Sequence, residues 1–234
     1  MKLTRRGLLA LPIAPYAFAQ QPPANPALVL FIGNSLTFYN NMPDMVNELT
    51  SAAPGVRPVA ASMLARPALR LEDHWKHELT LQVMKKVPWT HVVLQEGSGM
   101  MLKAADRTER YARLFGAEIR KIGARTVVFQ PWHSKEQGGG EQWLLEAYGK
   151  LAQRLGAVLA PVGRAWQIAR QQGRAQLFDA DQHHPAPVGS YLTACVFYSL
   201  VTGQRAPAAM RPGLSSASVA DARAAAWQAV TELK

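Results

Sequence analysis

A serine, a histidine and an aspartate stand in two short segments near opposite ends of this chain, Gly33-Asn34-Ser35-Leu36-Thr37 and Asp181-Gln182-His183-His184-Pro185. A serine hydroxyl is a weak nucleophile until an imidazole takes its proton. The imidazole in turn works best when a carboxylate holds its tautomer and stabilises its cation. Asp181 and His184 are three residues apart, a spacing that lets one tight loop present both side chains at the same rim. His183 is the rival base: it has Ala180 three residues before it, although Asp179 could orient it, and Pro185 stiffens the backbone behind His184 instead. A metal site built from His183, His184 and an aspartate is the other chemical reading. It is the weaker one, because adjacent histidines diverge and no H-E-x-x-H spacing occurs.

Groups so far apart in sequence need a scaffold that brings them together. The run Ala27-Leu28-Val29-Leu30-Phe31-Ile32 is continuously apolar and stops at Gly33, as expected of a central strand covered on both faces. Pro43 and Asp44 open a helix through about Ala52, and 56–63 reads as a second strand. Residues 71–85 repeat apolar side chains at helical spacing, with Leu71, Trp75, Leu79 and Val83 on one face. Further strands are expected around Val92-Val93-Leu94, over 126–129 and over 157–162. Helices are expected over 107–122, through Leu144, Tyr148, Leu151 and Leu155, and over 189–202. Such alternation predicts an α/β fold: one domain with a mostly parallel sheet of about five strands between two helical layers. Ser35 then falls just past the carboxyl end of the first strand, where open parallel sheets gather ligands.

The chain has 234 residues, 48% of them hydrophobic, enough for one well-buried core. Met1-Lys2-Leu3-Thr4-Arg5-Arg6, an apolar stretch from Leu8 to Phe18 and an Ala17-Phe18-Ala19 step read as an export signal, 1–19, too short to anchor the chain in a bilayer. Thr4-Arg5-Arg6-Gly7-Leu8-Leu9 resembles a twin-arginine signal, with an ordinary secretory signal as the alternative. Cleavage near Ala19 leaves a Pro-rich leader, 20–26, ahead of the domain at 27–234, and implies a periplasmic or secreted protein. Removal of Lys2, Arg5 and Arg6 lowers the formal net charge from +10 to +7. The remaining arginines are scattered without aromatic interleaving, which fits a solvated basic surface and no nucleic-acid partner. Cys195, the only cysteine, excludes an internal disulfide and reads as a small buried hydrophobe.

Phe31-Ile32-Gly33-Asn34-Ser35-Leu36-Thr37, with Asn40, Asn41 and Pro43 following, and Asp181-x-x-His184-Pro185-x-x-x-Gly189-Ser190-Tyr191-Leu192 resemble the first and last sequence blocks of the SGNH (GDSL-like) hydrolase superfamily, in a G-N-S-L-T subgroup. The resemblance covers nearly the whole domain and implies a flavodoxin-like α/β/α fold. It casts Ser35 as nucleophile, His184 as general base and then acid, and Asp181 as the orienting carboxylate, with no cofactor. It also implies three oxyanion donors: the Ser35 N–H, a glycine N–H from the second block and an asparagine amide from the third. In place of that asparagine stands Gln95, in Leu94-Gln95-Glu96-Gly97-Ser98, whose amide is the expected donor. In place of the glycine stands Ala65-Arg66-Pro67-Ala68, which leaves the amide of Ala68 or a neighbour to serve, since Pro67 has none.

The function implied is an exported serine esterase acting on a small-molecule or carbohydrate ester, acetyl groups on carbohydrate among them. The alternatives are an O-acyltransferase acting on extracellular polysaccharide and a carbohydrate-binding relative without activity. Loops 65–70, 96–103 and 133–140 are expected to shape the pocket. Of the other histidines, His74, His77 and His91 read as packing or surface residues, and His133, at a strand's carboxyl end, as a candidate pocket residue.

Overall fold

The computed structural model describes residues 25–134, 140–173 and 176–233. The expected export signal, 1–19, and most of the leader lie outside the described residues, as does most of the loop 133–140.

Five strands form one sheet: β1 Ala27–Gly33, β2 Val59–Ala65, β3 His91–Leu94, β4 Arg125–Phe129 and β5 Val158–Ala160. They pair in parallel in the order β2-β1-β3-β4-β5, with Phe31 opposite both Met63 and Val93. Ten helices are described: α1 Ser35–Phe38, α2 Met42–Ser51, α3 Leu71–Lys76, α4 Glu78–Lys86, α5 Ser98–Lys103, α6 Ala105–Lys121, α7 Gly140–Leu155, α8 Val162–Gln171, α9 Pro187–Thr202 and α10 Ser216–Thr231.

Alternate residues of the same strands face two separate cores, as the pleat requires. Val29, Phe31, Val93 and Phe129 meet α2, α8, α9 and α10, whereas Leu30, Ile32, Val92, Leu94 and Val128 meet α3 to α7. The three-layer α/β/α arrangement follows from β1, β3 and β4 being apolar on both faces. Among the described residues no helix is long and apolar enough to cross a membrane.

Several boundaries differ from the periodicity. The second strand runs from Val59, not 56, and Val162 starts α8 in place of ending β5. The helix expected over 71–85 is two, broken at His77, whose backbone is extended (φ −91°, ψ 107°). The break resets the helical phase, so Leu79 turns out to solvent while Leu71 stays buried. Cys195 is buried as expected, and burial pushes its thiol up to about 12.

The order of strands fixes where a ligand belongs. The chain leaves β1 toward β2 on one side, and leaves β3 toward β4 on the other. Between the carboxyl ends of β1 and β3 the loops part, and this switch point is the crevice that open α/β sheets use.

Candidate active site

Ser35 occupies the first turn of α1, at the β1 side of that crevice. Asn34 before it is extended (φ −133°) and caps the helix, its Oδ1 accepting from the Leu36 N–H at 3.2 Å. The N–H of Ser35 is therefore one of the first-turn donors that a short helix leaves without an internal acceptor.

The Gly33–Asn34 peptide is held from both sides. His74 of α3 places Nε2 at 2.7 Å from the Gly33 carbonyl, and since a carbonyl only accepts, Nε2 carries the proton. Burial lowers the His74 pKa, which keeps the ring neutral in this role. On the other side the Asn34 N–H donates to Gln95 Oε1 at 2.8 Å, and the Thr37 hydroxyl donates to the same oxygen at 3.0 Å. This close approach explains the glycine: a Cβ at Gly33 would stand 2.4 Å from Gln95 Oε1 and 2.6 Å from Thr37 Oγ1.

The expectation for Gln95 is thereby corrected. Its side chain is turned into the protein, the residue is 0% exposed, its Nε2 is buried without a hydrogen-bond partner, and it does not line the cavity at Ser35. An amide sealed behind the serine loop cannot reach a substrate oxygen. One methylene more than asparagine lets Gln95 fold back and accept from that loop.

The Asp181–His184 spacing closes a tight turn. Asp181 Oδ1 accepts from the backbone N–H groups of His183 (3.0 Å) and His184 (2.8 Å), while its Oδ2 lies 2.5 Å from His184 Nδ1. One carboxylate thus shapes the loop with one oxygen and orients the imidazole with the other. The His184 hydrogen bond, then those two backbone donors, hold the Asp181 carboxyl well below the ordinary carboxylate range, although its side chain is 47% exposed. Gln182 takes the left-handed conformation (φ 54°) that lets the turn close. His184 Nε2 lies 2.9 Å from Ser35 Oγ. Ser35, His184 and Asp181 therefore meet within hydrogen-bond reach across 149 residues of sequence. The carboxylate can only accept, so Nδ1 carries the proton and Nε2 is free to take one from Ser35.

Further groups fasten the histidine loop. The Trp132 indole N–H donates to the His183 carbonyl at 3.0 Å, and its ring stacks on Trp166 at 3.9 Å and 9°. Gly189 makes room for this stack, since a Cβ there would lie 2.8 Å from the Trp166 ring. Asn40 and Tyr39, just beyond α1, also reach the histidine segment. A polar residue right after the helix that carries Ser35, and a tryptophan at a strand's carboxyl end, are the sequence signals for them.

A cavity of about 880 Å³ opens over Ser35 and His184. Leu36, Phe38 and Met100 give it an apolar side, and Arg70, Glu96 and Lys103 a charged one. Loops 65–70 and 96–103 contribute Pro67, Ala68, Arg70, Glu96, Gly97 and Lys103, as expected, whereas His133 is not among the lining residues. Glu96 is 3% exposed, and burial pushes its carboxyl up to about 7 against the pull of hydrogen bonds from the Gly97 and Leu71 N–H groups. Ala68 has φ 58°, the left-handed conformation that glycine adopts without strain. Among the described residues no group of three or more His, Cys, Asp or Glu is placed to hold a metal ion.

No protein-family model matches the chain, and no curated relative does. Solved structures do. A protein from Slackia heliotrinireducens assigned as an SGNH hydrolase shares 27% identity over 77% of this chain and 100% of its own, with a TM-score of 0.63. A DUF4886 family protein from Bacteroides uniformis is similar in fold at a TM-score of 0.68, with 16% identity over 88% of this chain and 95% of that one. The acetyl xylan esterase AlAXEase, at 18% identity, matches 74% of this chain and 99% of its own with a TM-score of 0.62. Identity of 27% along the whole of the Slackia protein carries the likeness past shared architecture, and the structures this chain resembles support the SGNH (GDSL-like) hydrolase superfamily.

Proposed function

We propose that the protein is an exported serine esterase. The observation that supports this best is the relay from Asp181 Oδ2 through His184 to Ser35 Oγ, with separations of 2.5 Å and 2.9 Å, at the floor of an open cavity. In the proposed reaction His184 Nε2 takes the hydroxyl proton of Ser35 as Oγ bonds to the ester carbonyl carbon. The imidazolium returns that proton to the departing alkoxide, leaving an acyl-serine. Water, deprotonated by His184, then attacks the acyl carbon and releases the carboxylic acid and Ser35. Asp181 holds the tautomer throughout.

The carbonyl oxygen becomes an anion in both steps and needs fixed donors. The Ser35 N–H is one. The Ala68 N–H is the second, supported by the glycine-like φ of that residue and its place on the cavity wall.

The size of the cavity and its charged side fit an ester of a small acyl group with a polar alcohol, and the likeness to an acetyl xylan esterase makes acetylated carbohydrate the first substrate to try. Export rests on the N-terminal sequence, Met1 to Ala19, with cleavage there placing the enzyme in the periplasm or outside the cell.

Turnover of p-nitrophenyl acetate by the purified mature chain and by Ser35→Ala tests the reading. Activity is expected in the first and a loss of at least a thousandfold, about what removing a triad member costs, in the second. Equal rates in the two would overturn it. The same assay with a polysaccharide acceptor present separates hydrolysis from acyl transfer, by acyl-sugar formed against free acid.

A further inference from the structure

His184 is held at two points of its ring, Nδ1 by Asp181 and Nε2 by Ser35. Hydrogen bonds at these two ring nitrogens leave one motion open, rotation of the ring about the line that joins those atoms. Burial does not stop it, since the His184 side chain is 21% exposed and its carboxylate partner more so. The Tyr39 ring does: it lies face to face with the imidazole at a centroid distance of 4.1 Å and an interplanar angle of 6°. His183 meets the imidazole edge-on instead, at 81° and 4.8 Å.

Tyr39 is itself immobilised from both sides of the cleft. Its N–H donates to the carbonyl of Ser35, and its carbonyl accepts from the Ser190 hydroxyl of α9 at 3.2 Å. The ring that backs the base is therefore carried by the same turn as the nucleophile. We propose that Tyr39 is a positioning residue for His184, a flat wall that keeps the imidazole in the plane shared by Ser35 and Asp181 while a proton passes through it.

The proposal rests on the esterase reading and deepens it. In acylation the proton leaves Ser35 Oγ for His184 Nε2 and then moves to the alkoxide oxygen as the ester C–O bond breaks. An aryl oxide such as p-nitrophenolate leaves without that second transfer, whereas an alkyl alkoxide requires it. A ring free to tilt should harm the second transfer more than the first.

The experiment compares kcat/KM for p-nitrophenyl acetate and for ethyl acetate in the parent, Tyr39→Leu and Tyr39→Phe, with thermal melts of each. Tyr39→Leu is expected to lose on the order of tenfold on the aryl ester and about tenfold more on the alkyl ester, mainly in kcat. Tyr39→Phe should recover most of the rate on both. If Tyr39→Leu melts early, Tyr39→Met, which fills the space without a ring, takes its place with the same expectation. Equal losses on the two esters, or a change confined to KM, would overturn the proposal and leave Tyr39 a wall of the cavity. Turnover by Ser35→Ala in the same series would instead sink the esterase reading, so the two failures are distinguishable.

Discussion

The side-chain amide of Asn40 donates to the carbonyl of Pro185 at 2.8 Å and to the Ser190 hydroxyl at 2.9 Å, tying the turn that follows the serine directly to the residue that follows the histidine. The tie takes an unusual backbone: Asn40 has φ 52°, which asparagine tolerates better than most residues.

Asn40→Gly keeps the backbone accessible and deletes both bonds, whereas Asn40→Ala also strains it. Each is expected to lower kcat for p-nitrophenyl acetate by about ten- to a hundredfold, because small displacements of a reacting pair cost that much. Asn40→Ala should in addition melt earlier, by about 1–3 kcal/mol. Steady-state kinetics beside thermal denaturation would show whether rate and stability separate in this way.

Gln95→Leu leaves the Asn34 N–H and the Thr37 hydroxyl buried without their acceptor. A cost of about 2 kcal/mol or more is expected, read as a fall in Tm of about 4–8 °C for a domain of this size. An unchanged Tm with a large loss of kcat would restore the oxyanion role that the buried amide argues against.

Glu96 and Asp181 have opposite signatures in pH. The Glu96 carboxyl is raised from 4.5 to about 7, so the folded state binds its proton more tightly than the unfolded state does. The stability this brings is complete below pH 4.5 and is lost as pH rises to about 7, a swing of about 3 kcal/mol. Asp181 is lowered from 3.8, and its contribution is present above that pH and lost only in stronger acid. Urea unfolding of the parent and of Glu96→Gln between pH 4.5 and 7.5 is expected to show the decline in the parent alone.

Ala68→Gly should keep kcat/KM within about threefold, since glycine adopts a positive φ freely and retains the N–H. Ala68→Val, β-branched at the same φ, should lose both stability and rate. A glycine variant as slow as the valine one would remove Ala68 from the oxyanion site.

What the sequence revealed follows a physical divide. Continuous apolar runs such as 27–32 and the repeat through Leu144, Tyr148, Leu151 and Leu155 state their own burial, and these elements form as expected. The break at His77 was hidden because apolar residues continue across it at nearly helical spacing. Helix α10 buries Ala222, Ala225, Ala226 and Ala229, whose small side chains give little contrast, and only the Ser215 cap marks its start. The Asp181–His184 spacing was legible since a three-residue step suffices for one turn to carry both. The orientation of Gln95 was not, because an amide offers donor and acceptor alike and only the neighbours decide which is used. Nor does sequence spacing tell that Tyr39 returns to meet a ring from the far end of the chain.

The paired indoles of Trp132 and Trp166 make the histidine loop optically visible. Rings 3.9 Å apart and nearly parallel couple electronically, and one of them is hydrogen-bonded to the very peptide that precedes His184. The near-ultraviolet circular dichroism of this protein therefore includes a signal from the indole pair that is tied to the histidine loop and needs no dye.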